Sequence, residues 1–254
     1  MESTFRAVVL NNEQITEELV QITVHMPKAF EHKVMPGMFG HIKVPNAPDH
    51  LLRRPISIMD ADEKQGTLTF VIQPKGEGTK LIAAVKKQQQ LDIIAPLGNP
   101  FNAENAKTVW AVGGGVGIAP ILFFSSYYDN LEVTTILGFR NEKNVFISNK
   151  TAHPVTCTDD GSLGVHGTVV DVMKTMTILP DLITACGPAP MLKAIKAFAA
   201  EKGVKCQLSM EQHMGCGYGA CLTCSCGVTR SEKTNGYARV CADGPVFDSS
   251  EVVF

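Results

Sequence analysis

The sequence predicts a small antiparallel β-barrel, then a parallel α/β domain, then a small cysteine-rich domain. Three observations support this fold class. Short alternating strands fill the first hundred residues, strands then alternate with helices, and six of the 8 cysteines lie between Cys206 and Cys241. The 254 residues are ample for three small domains, which we expect at 1–100, 101–205 and 206–254.

The barrel is predicted from short runs with alternating apolar positions and β-branched residues. The runs are FRAVVL, LVQITVHM, FGHIKV, PISIMD, TLTFVIQP and LDIIAPL. Turn signals such as Pro36-Gly37 separate them, and short strands at this spacing indicate a small antiparallel barrel. The stretch GTKLIAAVKK predicts one helix between the last two strands.

The α/β domain is predicted from apolar strand-like runs that alternate with helical segments. The strands are KTVWAV, VTTILGF, HPVTCT and DLITAC, and the helices include APILFFSSYYDN and MLKAIKAFAAEKG, which ends at Gly203. Strand–helix alternation predicts a parallel sheet that is covered on both faces.

Composition excludes several classes of function. A net charge of −2 without a basic block argues against nucleic-acid binding. No apolar run approaches the roughly 20 residues that span a membrane. The N-terminal residues lack the basic start and apolar block of a signal peptide, so we expect a cytoplasmic protein.

The cysteine spacing is the strongest signal in the chain. Cys216, Cys221 and Cys224 form the pattern C-x4-C-x2-C, and Cys241 follows at a distance. This is the plant-type spacing for a [2Fe–2S] cluster, and the small residues between the first two cysteines let backbone amides reach the sulfurs. These four cysteines are the predicted ligands.

Two alternatives remain for this segment. A structural zinc site is one, although zinc sites usually show two C-x2-C-like pairs. The other concerns the third ligand, because Cys226 competes with Cys224 for that position; the spacing favours Cys224. We expect Cys157, Cys186 and Cys206 to be buried thiols.

Glycine turns predict a dinucleotide site in the α/β domain. The run AVGGGVGIAP follows a strand and opens a helix, where a pyrophosphate can approach backbone amides. Ile118 stands where the third glycine of G-x-G-x-x-G would fall, so a simple tight turn is the alternative. The run CGPAPM occupies a similar position and could wall a nicotinamide pocket. The residues expected at this site are Gly113, Gly114, Gly115, Gly117, Cys186, Gly187 and Pro188.

Charge near the expected ribose position favours NAD over NADP. Asp159 and Asp160 follow the strand HPVTCT, at the edge where ligands bind in open α/β sheets. Carboxylates there would repel a 2′-phosphate, and we take Asp160 as the ribose partner. Arg140 argues mildly in the other direction.

A flavin site is predicted in the barrel. Arg54-Pro55-Ile56-Ser57 begins a strand, where a guanidinium offers a planar fork to a pyrophosphate and a hydroxyl can bind flavin or phosphate oxygens. The run KGEGT begins a helix and provides further backbone amides. The alternative is a solvent-facing arginine beside an edge-strand proline.

These motifs, in this order, resemble the ferredoxin–NADP reductase superfamily. RPIS is similar to its R-x-Y-S flavin motif, with Ile56 in place of the aromatic ring that would stack on the flavin. RRPISI, GEGT, GGGVGIAP, MGCGYGACLTCSC and RVCADGPVF together resemble the electron-transfer subunits of type B dihydroorotate dehydrogenases over almost the whole chain.

This resemblance implies a Greek-key FAD-binding barrel, a Rossmann-like nucleotide domain and a C-terminal [2Fe–2S] domain. It also implies an FMN-containing catalytic partner that oxidises dihydroorotate, in a heterotetramer of two copies of each subunit. The implied FAD contacts are Arg54, Pro55, Ile56, Ser57, Val71, Ile72, Gln73, Gly78 and Thr79.

The expected function is electron transfer from partner FMN, through the cluster and FAD, to NAD⁺. A nicotinamide exchanges electrons in pairs and the cluster singly, so a flavin is needed between them. We expect no catalytic acid, base or nucleophile in this chain. The alternatives are a reductase subunit of another complex (an NADPH–ferredoxin transhydrogenase, a sulfur reductase or an oxygenase reductase) and a zinc-stabilised binding module.

An apolar face near the cluster is the expected contact with the partner. Leu222, Val246 and Phe247 are its candidate residues, and packing within the small cluster domain is the alternative.

Overall fold

A computed structural model describes residues 3–27, 30, 32–148, 150–151, 154–229 and 236–254. Among these residues, no helix is long and apolar enough to cross a membrane.

The N-terminal half forms a closed antiparallel barrel. Its strands are β1 (Ser3–Thr16), β2 (Leu19–His25), β3 (Phe39–Ile42), β4 (Arg54–Asp62), β5 (Thr67–Ile72) and β6 (Gln90–Leu97). They close in the order β1-β2-β5-β4-β3-β6, a Greek-key arrangement. Alternate residues point inwards, as Ile22 and Val24 on β2 and Leu91 and Ile93 on β6 show. A short helix, α1 (Glu77–Ala83), lies between β5 and β6 and buries Ile82.

The second half is built on a largely parallel sheet. Its strands are β7 (Thr108–Gly114), β8 (Glu132–Phe139), β9 (Val155–Thr158), β10 (Val165–His166), β11 (Leu182–Cys186), β12 (Lys205–Ser209) and β15 (Val246–Asp248). The order is β10-β9-β8-β7-β11-β12-β15, and only β15 pairs antiparallel. The chain therefore changes direction across the sheet between β7 and β11, where open α/β sheets bind ligands.

Three helices cover the sheet: α2 (Ile118–Tyr127), α3 (Val169–Thr175) and α4 (Ala189–Lys202). The first seven residues of α2 are all buried, because the helix packs on the sheet and on β4 of the barrel at once. Helix α4 buries one face, including Leu192 and Ile195, and ends at Gly203, which adopts the left-handed conformation with φ +67°.

The C-terminal segment packs on both of the other parts. A cysteine-rich loop leads into a hairpin of β13 (Ser225–Gly227) and β14 (Tyr237–Arg239), and β15 then returns to the edge of the sheet. Asn99, at the end of the barrel, forms a bridge with Pro245. The expected boundary between residues 205 and 206 falls inside β12, and the division into domains stays a prediction.

The predicted fold class is confirmed, with differences in individual elements. The helix expected over 78–87 ends at Ala83, and the chain then reaches β6 through a turn in which Gln88 adopts φ +71°. Helix α3 and strands β10 and β12–β15 were not predicted. His153, at the start of the predicted run HPVTCT, lies outside the described residues.

Candidate cofactor sites

The first cavity lies at the carboxyl edge of the parallel sheet and has a volume of about 520 Å³. The ends of β7, β8, β9 and β11 all contribute to its wall, as the switch-point rule requires. Five of the predicted residues line it: Gly114, Gly115, Gly117, Gly187 and Pro188. Gly113 does not; it is buried at the end of β7, where a Cβ would lie 3.0 Å from Ile118 Cα.

The two glycine turns touch each other beneath this cavity. A Cβ on Gly117 would lie 2.6 Å from the backbone nitrogen of Gly187 and 2.7 Å from the carbonyl oxygen of Cys186. A Cβ on Gly187 would lie 3.1 Å from the carbonyl oxygen of Gly114, as well as 2.3 Å from the end of the Met191 side chain. Because no side chain fits between the turns, the cradle is formed by backbone alone, which suits the close approach of a dinucleotide pyrophosphate.

The acidic residue at the cavity differs from the expected one. Asp159 lines the cavity, together with Arg140. The Asp160 carboxylate instead accepts hydrogen bonds within its own turn, from the Ser162 backbone at 3.0 Å and the Ser162 hydroxyl at 2.6 Å. These bonds lower the pKa of Asp160. The Asp160 carboxylate, which we expected to face the ribose, is thus engaged in hydrogen bonds within the turn at 160–162.

A second cavity of about 400 Å³ lies between the barrel and the sheet. Pro55 and Ser57 of the RPIS motif line it on the barrel side, beside Phe39 of β3. Cys186 and the segment from Ser209 to Met214 line the other side. Ile56 points away and packs against the barrel core. The cavity therefore combines apolar walls with a few polar groups, as flavin sites do.

Glu211 connects the two cavities and was not predicted from the sequence. Among the described residues, Glu211 is the one residue that lines both the first and the second cavity. Desolvation raises the pKa of its carboxyl, and Lys75 opposes that rise. No local pattern distinguishes this glutamate in the sequence, because its position depends on how the chain leaves β12.

Arg54 lies against the start of α1, as a phosphate-binding arginine would. A Cβ on Gly78 would be 2.8 Å from the Arg54 Nε and Nη2 atoms, so the guanidinium rests on the helix backbone. Its Nη1 atom donates to the Leu52 carbonyl at 2.6 Å. Among the described residues, no carboxylate forms an ion pair with it. A cation beside free backbone amides fits an anion such as the FAD pyrophosphate.

The other expected flavin residues lie on β5 and α1. Val71 and Ile72 are buried at the end of β5, where they pair with Gln21 and Val20 of β2. Gln73 lines the first cavity and donates to the Glu18 carboxylate at 2.9 Å. The Thr79 hydroxyl caps α1, accepting from the Gly76 backbone at 3.1 Å.

The cysteine loop directs backbone amides at its own sulfurs. The Ala220 amide donates to Cys216 Sγ at 3.2 Å, and the Cys216 amide donates to Cys221 Sγ at 3.3 Å. Hydrogen bonds, first from the Thr223 hydroxyl and then from backbone amides, lower the pKa of the Cys221 thiol to about 6. Cluster binding requires thiolates, so the surroundings of Cys221 suit a ligand role.

The cysteines form two pairs, which matches two irons. Cys224 Sγ lies 3.2 Å from Cys241 Sγ, and Cys216 and Cys221 form the other pair. A [2Fe–2S] cluster takes two thiolates at each iron, and sulfide ions bridge the irons. Among the described residues, no three His, Cys, Asp or Glu side chains come together as a mononuclear zinc site would require. Cys226 is buried on β13, and it is Cys224 whose sulfur lies beside that of Cys241.

Two side chains hold the cysteine loop from outside. Arg239 donates to the Gly219 carbonyl at 2.9 Å and forms a paired contact with Asp243, which raises the pKa of Arg239. His41 of β3 contacts the Cys216 carbonyl at 3.2 Å. Burial lowers the pKa of His41 to about 4.

The expected apolar face is not formed. Leu222 is 61% exposed, but Phe247 is only 3% exposed and Val246 is half-buried. Phe247 packs onto Gly244, where a Cβ would lie 2.3 Å from its ring, so it belongs to the interior. Cys157, Cys186 and Cys206 are buried, as predicted.

Solved structures share this architecture. A chain from the structure of NADH-dependent reduced ferredoxin-NADP oxidoreductase has a TM-score of 0.86 and 28% identity, covering 97% of this chain and 89% of that one. The ferredoxin reductase in carbazole 1,9a-dioxygenase shares the fold, with a TM-score of 0.67, 21% identity and coverage of 80% and 67%. With the two cavities and the cysteine loop, this fold defines a flavin- and iron–sulfur-dependent reductase subunit.

The sequence comparisons identify the family. Residues 211–253 match the family model of the iron–sulfur cluster binding domain of dihydroorotate dehydrogenase B. Electron transfer subunits of dihydroorotate dehydrogenase B (NAD(+)) are similar over 98% of both chains, with 37% identity in Bacillus caldolyticus and 38% in Caldanaerobacter subterraneus subsp. tengcongensis. The chain belongs to this family of electron transfer subunits.

Family membership confirms the expected class of function, an electron-transfer subunit of an NAD-linked oxidoreductase that has a catalytic partner subunit. The iron–sulfur domain and the reductase fold likewise confirm the expected cofactors, which are FAD, a [2Fe–2S] cluster and NAD.

Proposed function

We propose that this chain carries electrons from the FMN of a dihydroorotate-oxidising partner, through its cluster and FAD, to NAD⁺. The observation that carries the proposal is the arrangement of the sites in a row. Glu211 joins the nucleotide cavity to the flavin cavity, and the flavin cavity ends at Met214, two residues before Cys216. Each site therefore adjoins the next, as electron transfer requires.

The FAD site would use the start of the barrel strand β4 and the start of helix α1. When bound, FAD supplies the exchange between paired and single electrons that links a nicotinamide to an iron–sulfur cluster. Arg54, Gly78 and Thr79 would hold its pyrophosphate, and Pro55 and Ser57 would face its ring system. The backbone of 71–73 would complete the site.

The NAD site would use the two glycine turns and an acidic residue. The amides at Gly114, Gly115 and Gly117 would receive the pyrophosphate, and Gly187 and Pro188 would flank the nicotinamide. We propose Asp159, rather than Asp160, as the residue that faces the ribose, since Asp159 lines the cavity. A carboxylate there favours NAD over NADP.

The cluster would be held by Cys216 and Cys221 at one iron and by Cys224 and Cys241 at the other. The pairing of the sulfurs and the N–H···S bonds support this assignment. The exposed Leu222 lies within this loop and is available to a partner protein.

The partner is proposed to be an FMN-containing catalytic subunit, in a heterotetramer with two copies of each chain. The names of the similar relatives support a dihydroorotate dehydrogenase as the partner's activity. The cytoplasmic location expected from the sequence stays a prediction.

An anaerobic NADH titration of the purified chain tests the proposal. We expect flavin bleaching in the visible spectrum, together with the electron paramagnetic resonance signal of a reduced [2Fe–2S] cluster. Addition of the dihydroorotate-oxidising subunit should then allow dihydroorotate to reduce NAD⁺. A colourless, zinc-containing protein that does not react with NADH would contradict the redox function.

The similarity to the NADH-dependent reduced ferredoxin-NADP oxidoreductase chain supports a second candidate, a subunit of such a complex. A choice of partner distinguishes the two. Electron transfer with ferredoxin and NADP partners, and none with a dihydroorotate-oxidising subunit, would favour the second candidate.

A further inference from the structure

His41 lies between the flavin cavity and the cysteine loop. It is fully buried on β3, where it pairs with Pro55 of β4 and Ile94 of β6. Two positions along these strands Phe39 pairs with Ser57, and both of those residues line the flavin cavity. The paired part of β3 and β4 therefore contains both His41 and the residues that line the flavin cavity on the barrel side.

The hydrogen bond of His41 fixes the state of its ring. The Nδ1 atom lies 3.2 Å from the carbonyl oxygen of Cys216. A carbonyl oxygen can only accept, so Nδ1 carries the proton and donates it. The bond joins barrel strand β3 to the first predicted cluster ligand, across 175 positions of the chain.

The loop backbone lies directly on the imidazole ring. A Cβ at Gly217 would be 2.4 Å from His41 Nδ1 and 3.0 Å from Cε1. Gly217 also has φ +84°, which favours glycine. Any side chain at this position would push the loop away from the barrel, so the ring and the glycine together set the spacing.

The other ring nitrogen has no partner among the described residues. His41 Nε2 is buried and accepts no hydrogen bond there. Burying an unpaired polar atom is unfavourable, and an aliphatic residue of similar size would avoid it. The feature that an aliphatic residue would lack is the donor at Nδ1, which explains why a histidine occupies the site.

We propose that His41 is a positioning residue that fixes the cluster loop at the flavin face of the barrel and so sets electron exchange between cluster and flavin. This inference rests on the proposed function. Its physical basis is rigidity: β3 is held on both sides, whereas the loop from Cys216 to Cys221 is attached to the barrel here through one donated hydrogen bond and one ring contact.

Three substitutions of one residue test the role of the donor. His41→Asn places an amide N–H near the position of Nδ1, His41→Gln places it near Nε2, and His41→Leu removes it. In the holoprotein we expect His41→Leu and His41→Gln to lose the cluster to a chelator roughly fivefold faster, the effect of one lost hydrogen bond. His41→Asn should remain close to the unsubstituted protein.

The electron path provides a second readout. In stopped-flow reduction by NADH, flavin bleaching should be unchanged in His41→Leu, and the following reduction of the cluster should be slower. The proposal would be overturned if His41→Leu matched the unsubstituted protein in the rate of cluster loss, in the rate of cluster reduction and in its electron paramagnetic resonance spectrum. It would also be overturned if His41→Asn were as impaired as His41→Leu.

A substitution on the loop tests the same contact without changing a buried residue of the barrel. If the His41 variants do not fold, Gly217→Ala displaces the loop from the same ring while His41 is kept. Cluster reduction as fast in Gly217→Ala as in the unsubstituted protein would also overturn the proposal. Failure of the proposed function would appear earlier, as an unsubstituted protein whose flavin and cluster do not respond to NADH.

Discussion

At the scale of single residues, the sequence and the structure both bear on whether Cys224 or Cys226 is the third cluster ligand. The spacing C-x4-C-x2-C favours Cys224 but leaves Cys226 two positions away. In the fold, Cys226 pairs with Ala238 in the hairpin, while Cys224 Sγ lies 3.2 Å from Cys241 Sγ. Both thiols are buried, so burial alone does not distinguish them.

Serine substitutions at these two positions give a matched test. We expect Cys224→Ser to abolish the [2Fe–2S] electron paramagnetic resonance signal, because one iron loses a thiolate from its pair. Cys226→Ser should keep the signal, since Cys224 supplies the sulfur that lies 3.2 Å from Cys241 Sγ. Iron content and the visible spectrum measure both outcomes, and a full signal in Cys224→Ser would refute the assignment.

Glu211 gives a residue-scale prediction about charge. The nicotinamide of NAD⁺ is positively charged and that of NADH is neutral, so a carboxylate beside it favours NAD⁺. We expect Glu211→Gln to weaken NAD⁺ binding about tenfold relative to NADH, within the roughly 1 to 4 kcal/mol of a near charge pair. Glu18→Gln is the control, because Glu18 lines only the first cavity and already accepts from Gln73.

The pH dependence of this effect follows from the raised pKa of Glu211. Below that pKa the carboxyl is neutral and cannot favour the cation. The preference for NAD⁺ over NADH should therefore increase as pH rises through the pKa, and it should be flat in Glu211→Gln. Titration of both nucleotides at several pH values measures this, and equal pH profiles in the two proteins would contradict it.

At the scale of elements, the two glycine turns act as one unit. Gly117 approaches the backbone of 186–187, while Gly115 faces open space, with φ +57° and no atom within 4 Å of the position that a Cβ would occupy. Comparing alanine substitutions at Gly117 and Gly115 therefore distinguishes a steric clash between the turns from strain in the backbone. Gly117→Ala must push the turns apart, whereas Gly115→Ala adds strain alone.

We expect Gly117→Ala to weaken NADH binding by roughly fivefold or more, since overpacking of this kind costs about 1–3 kcal/mol. Gly115→Ala should have a smaller effect. Cluster absorbance should be retained in both proteins, because the cysteine loop lies outside the two glycine turns. NADH titration calorimetry checks the prediction, and equal affinities in Gly117→Ala and the unsubstituted protein would show that the turns do not form the nucleotide cradle.

The elements that the sequence predicted are those with a strong local pattern. The barrel strands alternate, and α4 has its apolar face and Gly203. Helix α3 was missed although Thr168 and Asp171 form a capping box, a signal that could have located it. Strand β15 has only three residues and pairs with β12. Such a pairing depends on tertiary structure, as do the positions of Glu211 and His41.

At the scale of the whole molecule, one connected interior links the three sites. A single apolar cluster includes Phe39 of the barrel, Trp110 of the sheet and Cys224 and Cys241 of the C-terminal segment. The sites are thus held in a fixed order, with the flavin cavity between the nucleotide cavity and the cysteine loop. If the cluster at one end of this series is lost, electron transfer between the nucleotide site and the flavin site should continue.

Cys221→Ser tests this order. The serine removes a ligand at one iron, so we expect the cluster to be lost while FAD stays bound, because the residues around Arg54 and Ser57 are untouched. NADH should still bleach the flavin, since the nucleotide and flavin cavities share Glu211. Electron transfer from the dihydroorotate-oxidising subunit to NAD⁺ should fall to background. If that transfer persisted in a protein shown to contain no iron, electrons would have to pass between the partner and FAD directly, and the cluster would not lie on the path.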